Sequence, residues 1–379
     1  MRITLLSNGH GEDVVGALLA EALLACDETL ELQAFPTVGS GGAYERLQIP
    51  ILGPRRALPS GGLTLHSTAA LWSDLRAGFV PLTVAQLRAL RQLETDLLVV
   101  VGDVYALLLG SLVKTRLRFY MQTLVSVRQR RPLDSPRHLN RYFMERFSVS
   151  ERLLMRRLAR HSYVRDTPTA AFLKTFGLPA SALGNPMMDA LRPTGLALPV
   201  SLTPPVVALL PGTRSYKASA LETMVRALEG WPEATGLVAW ADDAPPERQC
   251  WRAVAEGVWQ GADNVYLLTH SFTEIVGAAQ LALGTAGTAN EQAAASGLPV
   301  VAFPVPPLYT PAFLANQRRL LGDALTVCEA DPARVTYTLS ALWRDRYRYR
   351  LAAATGRERM GGAGGSAAIA RDILTRVTS

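Results

Sequence analysis

The chain has 379 residues, 49% hydrophobic and 19% charged, which lies in the globular range and leaves room for two domains with separate cores. Cys26, Cys250 and Cys328 stand far apart with neither CxxC nor Cys/His spacing, which argues against a disulfide framework or a zinc site and points to a reducing compartment. The formal charge of +7 matters less than where it sits.

In chain order, Ile3–Leu6 is predicted as a first strand, residues 7–13 as a polar turn, and Val14–Leu24 as a helix by its apolar spacing. No secretory leader is expected, because only four apolar or neutral residues follow Arg2 before Ser7-Asn8-Gly9. A glycine-bearing turn between first strand and first helix opens a doubly wound domain. Val14 occupies the third-glycine place of G-x-G-x-x-G, so the dinucleotide fingerprint is incomplete. Leu30–Phe35 is a second strand, and residues 53–63 form a loop with Pro54 and Pro59. Trp72 and Phe79 suit either a core or, if exposed, a membrane interface. Asp96–Val101 is predicted as a strand whose run Leu97–Val101 is unbroken apolar, the pattern of a buried parallel strand, and Asp103 emerges at its carboxyl end before an apolar helix over 106–113.

Between Lys114 and Arg165 the character changes. Fourteen Lys/Arg stand against three acids, a net +11 that leaves −4 for the rest. Tyr120, Tyr142, Phe143, Met144, Phe147 and Met155 are interleaved with the arginines. Such a segment suits an anionic membrane surface better than nucleic acid, since no RNA-binding signature accompanies it. A solvated basic face would look the same. His161–Val164 is expected to be the last strand of the first domain, Asp166-Thr167-Pro168 a helix start, and residues 192–205, with four prolines, the linker.

In the second half, Val206–Leu210, Leu237–Ala241, Val265–Leu268, Leu281–Leu283 and Val300–Phe303 are predicted strands alternating with helices, which implies a parallel sheet covered on both faces. The stretch 281–304 is one βαβ unit. Its turn, Gly284-Thr285-Ala286-Gly287-Thr288, lies at the amino end of a helix carrying Glu291 in its first turn. Free N–H groups and the helix dipole favour an anion there. The carboxylate of Glu291 could accept hydrogen bonds from two sugar hydroxyls, or it could be an ordinary solvated helix-start acid. An uncharged run over 292–317 is long enough to cross a bilayer, but its five prolines forbid a continuous spanning helix. Gly361–Gly365 is a hinge before a last helix over 367–377.

Three motifs carry a family resemblance. The small-residue turn, Glu291 and the Gly297-Leu298-Pro299 stop resemble the nucleotide-sugar motif of GT-B glycosyltransferases. Residues 209–214, LLPGTR, and 184–189, GNPMMD, resemble two motifs of lipid-A-disaccharide synthase, with Thr for Ser and Asn for His. The resemblance covers most of the chain and points to the group related to that synthase, with the peptidoglycan UDP-GlcNAc transferase more distant. It implies two Rossmann-like α/β domains with parallel sheets facing a cleft. The acceptor domain would span 1–192, the nucleotide-sugar domain 206–365, and a terminal helix over 366–379 would cross back to the first domain.

The implied chemistry is inverting transfer of a hexose or HexNAc from a UDP-sugar to a lipid-linked acceptor, by a protein lying peripherally on the inner face of the membrane. Gly212, Thr213 and Arg214, with Gly284, Thr285, Gly287 and Thr288, are candidates for the diphosphate. An anion partner would also explain Arg214 at a helix start, where the dipole disfavours cations. Glu291 is implied for the ribose. Ser271 and Phe272 follow a strand and could grip uracil, although Ser271 also suits a plain N-cap. Asn316 and Gln317 match a pair that contacts the donor sugar in related transferases, and solvated helix residues would look alike. His10, ordinarily titrating near neutrality, and Asp103 are the candidate bases, with Asp13 placed to orient His10. No cofactor or metal is expected: no Asp-x-Asp pair occurs, and Asp242-Asp243 reads as a solvated loop. The rival readings are a UDP-GlcNAc 2-epimerase-like soluble enzyme and a non-catalytic polyanion-binding protein of the same fold.

Overall fold

The computed structural model describes residues 1–56, 72, 75–122, 124–130, 146–192, 198, 202–247 and 250–378. They divide into two compact units, Met1–Ala190 with Ala363–Ser379, and Leu191–Gly362.

The first unit contains β1 (Arg2–Ser7), α1 (His10–Cys26), β2 (Glu31–Pro36), a short α2 (Gly42–Glu45), α3 (Phe79–Gln92), β3 (Glu94–Val101), α4 (Val104–Gly110), β4 (Lys114–Gln122), α5 (Val149–Leu158), β5 (His161–Val164), α6 (Thr167–Lys174) and β6 (Ala180–Ser181). The strands form one parallel sheet in the order β2-β1-β3-β4-β5-β6. The chain therefore steps from β1 to one side and returns to the other, so the order reverses between β1 and β3. Leu97 through Val101 are wholly buried, and each such side chain stabilises the fold by about 1.5–3 kcal/mol. β6 extends the sheet past the expected last strand, and α1 begins at His10 rather than Val14. The early start has a local cause: extended Gly9 leaves the Glu12 carboxylate room to fold back over the helix entrance, where a Cβ on Gly9 would lie 2.2 Å from Glu12 Oε2.

The second unit contains β7 (Val206–Leu210), α7 (Lys217–Glu229), β8 (Thr235–Trp240), β9 (Arg252–Ala255), β10 (Val258–Gln260), β11 (Val265–Thr269), α8 (Phe272–Ala278), β12 (Leu281–Gly284), α9 (Thr288–Ala295), β13 (Val300–Ala302), α10 (Pro311–Leu321), β14 (Leu325–Val327), α11 (Pro332–Arg344) and α12 (Arg346–Met360). Its sheet order is β14-β13-β12-β7-β8-β11-β10-β9. The expectation of a purely parallel sheet is corrected: β9 and β10 form an antiparallel hairpin at one edge. Every residue of β9 is exposed, so that strand has no buried face to leave a hydrophobic alternation in the sequence. Here the order reverses between β7 and β12.

The last helix, α13 (Gly365–Thr378), packs against α1 within the first unit. The 184–189 motif holds it there. The Asp189 carboxylate accepts from the N–H of Gly364 and, at 2.7 Å, from the N–H of Ser366, capping a helix that supplies no cap of its own. Gly184, at φ +112°, lies so close that a Cβ would sit 2.8 Å from Gly365 Cα. Tyr163 donates to Asp372 at 2.7 Å, and Arg376 to the same oxygen at 2.6 Å.

The basic segment is partly structural. Tyr120, Phe147 and Met155 belong to the core and are not available to a membrane, whereas Tyr142, Phe143 and Met144 lie outside the described residues. Arg118 donates to the carbonyls of Gly110, Val113 and Leu158, satisfying helix ends that lack intrahelical partners. Arg130 and Arg152 lie over the Phe172 ring, and Arg152 is 3.7 Å from the Phe176 centroid. Arg156, Arg157 and Arg160 are exposed.

Candidate functional site

Ligands of open α/β sheets bind beyond the carboxyl ends of the strands, where strand order reverses. Each unit has one such point, and most of the candidate residues lie at the two.

In the second unit the turns after β7 and β12 touch. Gly212 takes φ +80°, and a Cβ on it would stand 3.3 Å from that of Ala286. Thr285 N donates to Leu210 O at 3.0 Å and Thr285 Oγ1 to Pro211 O at 3.2 Å. Tyr216 Oη closes the pair by donating to Thr285 O at 2.7 Å. The helices α7 and α9, which follow these turns, have no side-chain cap, whereas α10, α11 and α12 are capped by Thr310, Asp331 and Asp345. Uncapped N–H groups at two adjoining helix starts form a place for an anion. Thr213, Arg214 and Thr288 are exposed beside it, and Gly212, Gly287 and Glu291 are half-buried.

Three expected ligand contacts are corrected. Gly284 is buried at the end of β12 under the Asn290 amide. Thr285 is wholly buried and its hydroxyl is committed to Pro211. Gln317 is 3% exposed and both ends of its amide are bonded internally. Asn316 is half-buried and accepts from Arg319 at 3.2 Å. Ser271 does not cap α8; its hydroxyl donates to Thr269 O at 2.9 Å. Phe272, half-buried, opens that helix next to His270, which is held at φ +54°. Asp242 and Asp243 are paired, not merely solvated: Asp242 meets Lys217, whose Nζ lies 4.7 Å above Trp240, and Asp243 meets His270 Nε2 at 2.9 Å.

In the first unit, Asn8 Nδ2 donates to Asp103 Oδ1 at 2.7 Å across the β1/β3 reversal. The same oxygen caps α4, accepting from Tyr105 N and Ala106 N at 3.0 and 3.1 Å. Gly102, at φ +147°, leaves room for Asn8. His10 is exposed, and its ring covers Gly39, where a Cβ would lie 2.5 Å from Cε1. Asp13 does not orient His10. It is buried, accepts from Ser7 Oγ at 2.6 Å, and burial pushes its carboxyl up to about 6.

Sequence reasoning missed two carboxyls here. Burial pushes Glu12 up to about 7, with the charges of Asp103 and Asp13 adding to the effect and its own backbone N–H opposing it. Glu151 also reaches about 7, through burial and the Asp103 charge, against opposing bonds from Phe147 and Ser148 N–H groups and the Arg146 charge. Tyr120 is wholly buried, and burial with the Glu151 and Asp103 charges raises the phenol well above its ordinary value, against an opposing hydrogen bond with Gln122. Glu12 was legible only as part of the polar turn over 7–13, and no motif marks Glu151. The available signal was Glu151 standing as one of three acids among fourteen basic residues. Among the described residues, no three His, Cys, Asp or Glu side chains are grouped to hold a metal ion.

No protein-family model matches the chain, and no curated protein matches it in sequence. Solved structures do match in fold. The calicheamicin glycosyltransferase CalG4 is similar at 16% identity and TM-score 0.64, over 100% of this chain and 98% of that one. MurG from Acinetobacter baumannii is similar at 14% and 0.57, over 99% of both chains. The UDP-GlcNAc 2-epimerase from Neisseria meningitidis, solved bound to UDP-GlcNAc, is similar at 14% and 0.58, over 99% of this chain and 100% of that one. The chain thus has the two-domain α/β architecture of GT-B proteins.

Proposed function

We propose that the protein is a UDP-sugar-dependent glycosyltransferase acting on a lipid-linked acceptor. The observation that carries the reading is the joined pair of turns at the β7/β12 reversal, with two uncapped helix starts, exposed Arg214, and Glu291 one turn into α9. A diphosphate leaving group needs preorganised donors where its charge develops, and backbone N–H groups with a guanidinium supply them. Glu291 supplies acceptors for ribose hydroxyls. The GT-B structure solved with UDP-GlcNAc supports the donor class.

The acceptor hydroxyl must lose a proton, and the proposed bases are Asp103 and His10. Support for a lipid acceptor comes from α3, α4 and α5, neighbouring helices that expose Val80, Val84, Tyr105, Leu108, Val149 and Leu153. Arg88, Arg91, Arg156, Arg157 and Arg160 are exposed on or beside them, a combination suited to an anionic lipid surface. No described helix is long and apolar enough to cross a membrane. True lipid A synthesis is not required, since the polar turn over 7–13 lacks the serine of the family's amino-terminal motif and Asn185 stands in place of the family's His.

The test combines activity with localisation. Purified protein, a UDP-hexose or UDP-HexNAc panel and a membrane-lipid extract should yield UDP and one new glycolipid, and the protein should sediment with anionic vesicles. Interconversion of UDP-GlcNAc and its 2-epimer without a lipid, by a protein that stays in the supernatant, would replace this reading with the epimerase. The Neisseria structure favours that rival, matching at a TM-score comparable to that of MurG.

A further inference from the structure

Four successive carbonyls of the turn after β12 are tied by side chains. Asn290 Nδ2 donates to Gly284 O at 3.2 Å, and Tyr216 Oη to Thr285 O at 2.7 Å. Gln317 Nε2 donates to both Ala286 O, at 3.3 Å, and Gly287 O, at 3.0 Å. Gln317 is itself fixed, because its Oε1 accepts from Tyr309 Oη at 2.7 Å and Asn290 Nδ2 at 3.3 Å. Tyr309 is 2% exposed and stacks on Tyr216, with centroids 6.2 Å apart. The amide of Gln317 thus reaches the turn from α10, and nothing of it is left over for a sugar.

In a trans peptide the N–H of one residue points opposite to the carbonyl of the residue before it. Because the carbonyls of 286 and 287 meet one amide, the N–H groups of Gly287 and Thr288 are aimed away from Gln317, and the Tyr216 bond to Thr285 O turns the Ala286 N–H away from that hydroxyl. Those three N–H groups have no acceptor among the described residues, unlike Thr285 N, which is bonded to Leu210 O. Successive backbone N–H groups held in one direction form an anion-binding nest.

We infer that Gln317 is a positioning residue that presets the diphosphate-binding turn through the carbonyls of Ala286 and Gly287, and that it does not contact the donor sugar. This rests on the UDP-sugar reading above and deepens it. Its ligand class is a nucleoside diphosphate, whose charge the preset N–H groups receive without having to reorient on binding.

The experiment separates phosphate, nucleoside and sugar. The full chain and its Gln317→Ala variant are titrated with UDP and UDP-GlcNAc by calorimetry, and with uridine by ligand-observed NMR. Loss of the brace predicts that UDP and UDP-GlcNAc both weaken by about tenfold, the scale of one or two buried hydrogen bonds. Uridine should change little. Because Gln317→Ala removes a buried group, Tyr309→Phe is the second variant. It deletes only the hydroxyl that donates to Gln317 and accepts from Asn290 at 3.0 Å, leaving both amides in the chain, so it should give a smaller loss for UDP, again sparing uridine. UDP unchanged in a folded Gln317→Ala or in Tyr309→Phe, with UDP-GlcNAc alone weakened, would overturn the inference in favour of a sugar contact. Equal loss for uridine and UDP would overturn it in favour of general collapse of the site. Wild-type protein that binds none of the three ligands would instead remove the UDP-sugar reading from which the inference starts.

Discussion

Asp13 is a carboxyl with a structural duty and an electrostatic cost. Its acid is pushed from 3.8 to about 6, mainly by burial. The folded protein therefore holds a proton there that the unfolded chain has released, and stability falls as pH rises from about 4 to 6, then stays low. Asp13→Asn keeps an acceptor for Ser7 Oγ and removes the buried charge. Thermal melts should show a gain at pH 8 of about 2–3 kcal/mol and almost none at pH 4; equal effects at both would contradict the assignment. Glu151 makes a kinetic prediction of the same kind. Its carboxyl near 7 is raised mainly by burial and in part by the Asp103 charge. Protonating Glu151 removes a negative charge beside the proposed bases, so kcat should fall below about pH 7. In Glu151→Gln that limb should shrink to the part Glu12 contributes, with kcat at pH 8 lowered towards the acidic value. An unchanged profile would separate Glu151 from the reaction. For the donor, Glu291→Ala should raise KM with little change in kcat, whereas Asp103→Asn should lower kcat.

At the scale of elements, legibility followed burial. β3, β7 and β12 were readable because they are buried on both faces and appear as unbroken apolar runs. β9 was not, because its four side chains are all exposed. The turn after β12 was legible as a strand-to-helix turn from its small residues, but the roles within it were not. Gly284, Thr285 and Gln317 have the residue types of ligand contacts and serve the protein's own backbone instead. Which way a side chain faces depends on a partner far along the chain, and one sequence does not carry that. The basic segment misled in part for the same reason: Arg118 and Arg152 spend their guanidinium groups on carbonyls and rings. The 184–189 motif proved to dock a helix. Asp189→Ala leaves the α13 start without its cap and should cost about 1–3 kcal/mol in denaturant unfolding. No loss of stability would mean that the cap is idle.

In the whole molecule one arrangement is seen twice: strand order reverses beside a turn whose backbone is tied down, and polar groups gather at that point. In the first unit the groups are carboxyls held near neutrality, suited to handling a proton. In the second they are amides at helix starts, suited to an anion. The most direct measurement is an amide NMR titration of the full chain with UDP. The account predicts that Gly212, Gly287 and Thr288 shift together and saturate, and that Glu291→Ala weakens the same response. Saturating shifts confined to other residues, or none at all, would contradict it.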